Sequence, residues 1–376
     1  MTIKLLITAR DVAAALHLIQ VATAARADKR FEVQIAAQQP AARHFLDAGF
    51  EVQLIEPMST QSAQTAEALE LRTIARRLLS AAAPDAVLAG LSTPFDAGLD
   101  EAVLLESRVP TILFQDFWGE QNLLLGRGAD LVLAVDDEAV LLNRKRYGID
   151  SYKVGSARHA AYRSLDIAGI RQHARAELGI AADDRLIGFF GQALHQLPGY
   201  ARTVQHFVDA LASLPTAVKL LVRPHPRENA EQRRATEALF IKSGLDLAPP
   251  LEGPVENALI ACDVACSLFS SCTYDAAYLN RFSAAPVAVP LSMLFDPEIV
   301  SYCEQHVNFE TFPYHRSGAV LAVHDPQQLA PMLAQSMQSS THQLVWRNAH
   351  AHLADPAAAP QLALDKIADF LDRPRN

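Results

Sequence analysis

Short β-branched and apolar runs alternate with longer alanine-rich helical stretches along the whole chain, and that alternation constrains the fold more than any other feature. Such a pattern fits parallel strands joined by helices that cover both faces of a sheet. In the first half the strand expectations are Ile3–Thr8, Phe31–Ala36, Val52–Ile55, Asp85–Leu91, Thr111–Gln115 and Leu131–Val135, with helices over Val12–Ala27 and Ala63–Ala82. The pattern restarts after a stretch, Gly155–Ile170, that lacks sustained apolar periodicity. A helix over Arg171–Leu178 is followed by strands at Arg185–Phe190, Val218–Val222, Asp263–Phe269, Pro286–Pro290 and Val320–Val323. Helices are expected at Thr203–Leu214, Ala230–Ser243, Tyr274–Leu279, Gln327–Met337 and Ala359–Leu371. At 376 residues the chain exceeds one ordinary core and suits two. The expectation is α/β: two Rossmann-like domains, 1–160 and 161–376, facing a cleft, with the closing helix free to return to the first domain.

Lys and Arg total 33 against 42 Asp and Glu, a net charge of −9. That balance argues against a nucleic-acid protein, which profits from broad positive surface. A small anionic ligand needs only a local basic pocket. The opening Met1–Thr8 carries too short an apolar run for a signal peptide, and no apolar stretch approaches the ~18–20 residues of a membrane span. A cytoplasmic location is expected. Cys262, Cys266, Cys272 and Cys303 match no paired zinc spacing and read as core or near-core thiols.

The most pointed chemistry lies in Val218-Lys-Leu-Leu-Val-Arg-Pro-His-Pro-Arg-Glu-Asn229. A buried strand runs into Arg223, His225 and Arg227, with Pro224 and Pro226 fixing φ and removing backbone donors. In a parallel sheet the carboxyl ends of strands are where ligands sit. Arginine forks and a neighbouring imidazole suit phosphate oxygens; the plainer alternative is a solvated basic corner. Two further loops belong with it. Gly191, after the strand at 185–190, permits a tight turn and a close backbone approach. Ser270, Ser271 and Thr273 stand where a helix begins, so they either cap it or, with its unpaired N–H groups, hold an anion. Asp275 follows, placed to accept from a ribose hydroxyl or to favour the helix start.

This layout resembles the GT-B superfamily of nucleotide-sugar glycosyltransferases and the related nucleotide-sugar 2-epimerases. Arg223-Pro-His-Pro226 is similar to the His-Pro motif of bacterial sialyltransferases, polysialyltransferases and glycerophosphate transferases, and Ser270-Ser271 to their downstream serine motif. The resemblance implies phosphate contacts for His225, Ser270 and Ser271. The acidic-acidic-Gly motif of those sialyltransferases has no copy here: Asp116 is preceded by Gln115 and followed by Phe117. The donor is therefore not assigned to a CMP-sugar.

In the first half Asp11 and Asp116 each follow a strand, and sugar transfer to a hydroxyl needs a group that removes its proton. Asp116 gains from Phe117 and Trp118, apolar surface that raises a carboxyl pKa and stacks on a sugar. Asp11 doubles as an N-cap of the 12–27 helix. His17 reads as a packing residue, and Ser92-Thr93 as caps or acceptor contacts. Asp136-Asp137-Glu138 reads as an acidic helix start rather than a metal site, so no metal is expected. With no Gly-x-x-x-x-Gly-Lys loop and no Gly-x-Gly-x-x-Gly, the chain carries neither a P-loop nor a dinucleotide fingerprint.

The leading expectation is an inverting glycosyltransferase. It takes a nucleotide-sugar donor, with no separate cofactor, and a glycan, lipid-linked or other hydroxyl acceptor. Asp116, or else Asp11, is the base, and His225, Gly191, Arg223, Arg227, Ser270, Ser271, Thr273 and Asp275 surround the donor phosphates. A nucleotide-sugar epimerase or hydrolase and a non-catalytic two-lobed binding protein are the rivals.

Overall fold

A computed structural model describes residues 2–93, 95–306 and 312–373. The chain divides into two compact units, Met1–Arg163 with Ala354–Asn376, and Ser164–Leu353. The first is built on β1 (Ile3–Ala9), β2 (Phe31–Ala37), β3 (Gln53–Leu54), β4 (Ala86–Gly90), β5 (Thr111–Phe114), β6 (Leu131–Ala134) and β7 (Ser151–Lys153). They form one parallel sheet in the order β3-β2-β1-β4-β5-β6-β7. The second unit carries β8 (Leu186–Phe190), β9 (Lys219–Arg223), β10 (Asp246–Leu247), β11 (Val264–Ser267), β12 (Val289–Met293) and β13 (Leu321–Val323). Its parallel sheet runs β10-β9-β8-β11-β12-β13.

β1 shows why these strands read as unbroken apolar runs. Leu5, Ile7 and Ala9 pack into a core beneath the helices Val12–Ala27 and Ala41–Asp47, while Leu6 faces a second core formed by the helices Ala66–Ala82 and Leu99–Glu106. Alternate side chains therefore meet apolar layers on both faces. The helix Ala359–Leu371 completes the first core with Ala363, Leu364 and Ile367. The C-terminal segment, although it follows the second unit in the chain, belongs to the first. In the second unit Phe189 on β8 packs against Phe207 and Phe240, with ring centroids 5.6 and 5.3 Å apart. Cys262, Cys266 and Cys303 are buried free thiols and Cys272 is half-buried. No helix among the described residues is long and apolar enough to cross a membrane.

Three expected boundaries move. The helix expected at Tyr274 starts at Ser271, because Ser270 takes extended backbone angles and its hydroxyl accepts from Cys272 N at 3.3 Å. The strand expected over Pro286–Pro290 runs over Val289–Met293, where Val264 pairs with Val289. The helix expected from Ala63 begins after Thr65, whose hydroxyl caps Ala68 N at 3.1 Å.

Candidate functional site

In the second unit β9, β8 and β11 are neighbours, so the loops after them emerge side by side. Hydrogen bonds join those loops. Gly191 N donates to Arg223 O at 2.9 Å, and Phe269 N donates to Gln192 Oε1 at 2.9 Å. The Ser267 hydroxyl donates to Phe190 O at 2.6 Å.

His225 has a defined tautomer. Its Nδ1 accepts the Arg227 backbone N–H at 3.1 Å, which leaves the hydrogen on Nε2. Partial burial, and then the Arg227 charge, push the imidazole down to about 4. At neutral pH His225 is thus an uncharged N–H donor at the end of β9. Arg227 is exposed, and its guanidinium makes no hydrogen bond or ion pair among the described residues.

At the end of β11, Ser270 caps the helix Ser271–Phe282. The exposed Ser271 leaves its N–H and hydroxyl without a partner among the described residues, the usual state of a first helical turn. Thr273 and Asp275 do not fit the roles expected of them. Each is only 1% exposed. The earlier helix start turns both inward: Thr273 Oγ1 donates to Ser270 O at 2.9 Å, and the Asp275 charge is felt by the buried Tyr314. Arg223 is also partly committed elsewhere. Its guanidinium donates to Leu251 O at 3.0 Å and Gly253 O at 2.6 Å, which secures the loop after β10 with two of its five N–H groups.

Space beside Gly191 is restricted by contacts from distant chain. A Cβ there would lie 2.9 Å from Glu228 Oε1 and 3.3 Å from the Tyr200 hydroxyl. Glu228, 4% exposed, ends the proline-rich turn, and neither carboxyl oxygen has a hydrogen-bond partner among the described residues. Burial raises its pKa. Gly191→Ala is expected to destabilise the protein by about 1–3 kcal/mol through this overpacking, as read by chemical denaturation; an unchanged midpoint would contradict the contact.

In the first unit the carboxylates gather at the carboxyl ends of β1, β4 and β5. Asp11 makes no side-chain cap to its helix. Its Oδ2 instead accepts from Thr93 N at 3.0 Å, tying the β1 loop to the β4 loop. Burial, and then the nearby Asp11 charge, push the Asp116 carboxyl up to about 7. The structure thus brings the two expected base candidates into one electrostatic neighbourhood. Trp118 is not a stacking platform: it is 3% exposed and its indole donates to Asp136 Oδ2 at 2.6 Å. Phe117 remains half-buried. Asp136 also caps the helix Asp137–Tyr147 by accepting from Ala139 N at 2.8 Å, and Asp137 pairs with Lys153 at 2.7 Å. His17 is buried against Phe114, and burial holds it uncharged.

Two arginines were not singled out from sequence. Arg10 is buried, donates to Asp96 O at 2.7 Å and pairs with the Asp96 carboxylate at 2.8 Å. Asn122 Nδ2 reaches the same Asp96 carbonyl at 2.7 Å and Thr93 O at 2.8 Å, so the loop that orients Asp11 is fixed from two sides. Arg158 lies near enough to Asp116 for its charge to favour the ionised carboxylate. Arg10 carried a weak signal, adjacency to Asp11 after a strand; Arg158 carried none, since only tertiary folding brings it to Asp116.

No family model and no curated protein match the sequence. Solved structures do match it along nearly its full length. The S. aureus MnaA–UDP complex superposes with a TM-score of 0.70 at 14% identity, over 99% of this chain and 97% of that one. UDP-GlcNAc 2-epimerase from Neisseria meningitidis bound to UDP-GlcNAc gives 0.66 at 13% identity, over 97% and 100%. Anabaena HepE in complex with UDP and glucose gives 0.63 at 14% identity, over 98% and 100%. The chain has the GT-B fold of these UDP-sugar-binding proteins.

Proposed function

We propose that this protein is a nucleotide-sugar-dependent enzyme that transfers a sugar to a hydroxyl acceptor with inversion at the anomeric carbon. The observation that carries the reading is the pair formed by the neutral His225 Nε2–H after β9 and the open helix start at Ser271 after β11, on either side of β8. Both are hydrogen-bond donors, and Arg227 adds a positive charge beside them. Together they suit a leaving phosphate whose charge grows as the glycosidic bond breaks. UDP as the nucleotide is supported by the ligands of the three similar structures.

In the transfer, the acceptor oxygen forms a bond to the anomeric carbon as the bond from that carbon to the phosphate oxygen breaks. The nucleotide leaves with the electron pair, and Asp116 takes the acceptor's proton. A carboxyl held near 7 suits that task at neutral pH.

Epimerisation of the same donor is favoured by a separate observation, the second carboxylate Asp11 beside Asp116, since acid/base work at a sugar ring uses more than one such group. Incubation with a UDP-sugar alone separates the two: an isomer forming without acceptor identifies the epimerase, and product that requires an acceptor identifies the transferase.

The ligand assignment is tested by thermal shift across UDP, CDP, GDP, dTDP and CMP. UDP at a hundredfold excess over its dissociation constant should stabilise the folded protein by about 2.7 kcal/mol. His225→Ala, which also loses the exposed bond from Arg227 N, should remain folded with a small fall in its unliganded melting temperature and weaken UDP binding about tenfold or more, the loss of one hydrogen bond to a charged group. An equal response in wild type and variant would remove His225 from the site.

A further inference from the structure

A cavity of about 240 Å³ opens at the opposite end of the second sheet from His225 and Ser271. It is lined by residues just before β8, β11 and β12, namely Arg185, Asp263 and Val287, and by the start of the helix Ser339–His352. The five residues of β8 put roughly 16 Å between the two ends of the sheet, so this is a separate site from the one already described.

Its charge is one-sided. The Asp263 carboxylate is shared by Arg171 at 2.5 Å and Arg175 at 3.3 Å, and it also accepts from Leu186 N at 2.8 Å. One acid thus answers two guanidinium groups. Arg185 adds a third cation that is exposed and makes no hydrogen bond or ion pair among the described residues. Ser339 and Gln343 bring neutral donors to the same rim, and Val287 and Met337 contribute apolar surface. The volume corresponds to about eight water molecules, enough for an anionic head and a few carbon atoms.

We propose that this cavity binds a small phosphate monoester, held at the phosphate by Arg185, Ser339 and Gln343 and along its carbon part by Val287 and Met337. Arginine is suited to phosphate oxygens by its fixed fork of donors. His342 reports on occupancy. It lines the cavity together with Asp263, Arg171 and Arg185, whose charges act on it, and it also feels a hydrogen bond with the Ser336 backbone. Burial, and then Arg171 and Arg185, lower its pKa against the opposing pull of Asp263 and the Ser336 backbone, so a bound anion favours its protonated form. By linkage an anion of fixed charge such as sulfate then binds more tightly as pH falls through the His342 transition, whereas a phosphate monoester, with its second pKa at about 6, loses a charge over the same range.

The test follows His342 by NMR in histidine-labelled full-length protein, against a chloride control. The probes are sulfate, which stays a dianion throughout the titration, and glycerol 3-phosphate. Both are expected to raise the His342 titration midpoint, and Arg185→Ala is expected to weaken both responses at least about tenfold. Because Arg185 is exposed and unbonded, that variant folds as the wild type does. An unmoved His342 with both probes would overturn the site, as would an undiminished response in Arg185→Ala. A response to sulfate without one to glycerol 3-phosphate would overturn the ester assignment. The His225 resonance, read in the same spectra, answers separately for the nucleotide site.

Discussion

Asp116→Asn is expected to lower turnover by about 10²–10⁴-fold while leaving nucleotide affinity nearly intact, because the amide keeps the shape of the side chain and cannot take a proton. The pH profile sharpens this expectation. Burial and the Asp11 charge hold the wild-type carboxyl near 7, so the active, ionised base is lost as pH falls through that value. Turnover in the wild type should rise with pH through about 7 and then level off. Asp11→Asn removes one of the two causes of the upward shift, so its acid limb should move to lower pH. Initial rates of donor consumption between pH 5 and 9 read both effects. A variant Asp116→Asn with wild-type turnover, or an acid limb near the ordinary carboxylate value, would exclude Asp116 as the base.

Asp263→Ala is expected to produce the largest loss of stability. The carboxylate at the start of β11 holds Arg171, Arg175 and the first amide of β8, and it is itself buried. Its removal leaves the Leu186 N–H without its acceptor and two guanidinium groups without their carboxylate, held only by backbone carbonyls such as Cys262 O and Ala261 O. Breaking one side of a buried ion network costs about 3–5 kcal/mol. For a unit of this size that corresponds to a fall of roughly 6–20 °C in melting temperature. Thermal and urea denaturation measure it, and UDP binding per folded molecule should be unaffected. A loss of less than about 1 kcal/mol, the range of an exposed pair, would show that these arginines find other partners.

The sheets were legible in the sequence because strands covered on both faces leave unbroken apolar runs, as in Leu5-Leu6-Ile7 and Leu220-Leu221. The edges were not. β7 and β10 have three and two residues, and β10 is exposed on both positions, so no periodicity marks it. Proline made the turn after β9 readable, since Pro224 and Pro226 restrict the backbone whatever surrounds it. What each side chain touches in that turn depended on distant chain. Arg223 reads as a phosphate ligand alone, and the structure adds that part of its fork holds the carbonyls of Leu251 and Gly253. The helix periodicity is legible only from Tyr274, whereas the helix starts at Ser271 and turns Thr273 and Asp275 inward. Arg10, Arg158 and Glu228 lacked a usable local pattern, because their relevance comes from contacts or charges across the fold.

A crystal structure with UDP bound tests the central claim most directly. It should show phosphate oxygens within hydrogen-bond distance of both His225 Nε2 and the Ser271 backbone N–H, with the His225 Nδ1 still accepting from Arg227 N. A diphosphate held elsewhere, with either donor left facing solvent, would contradict the account.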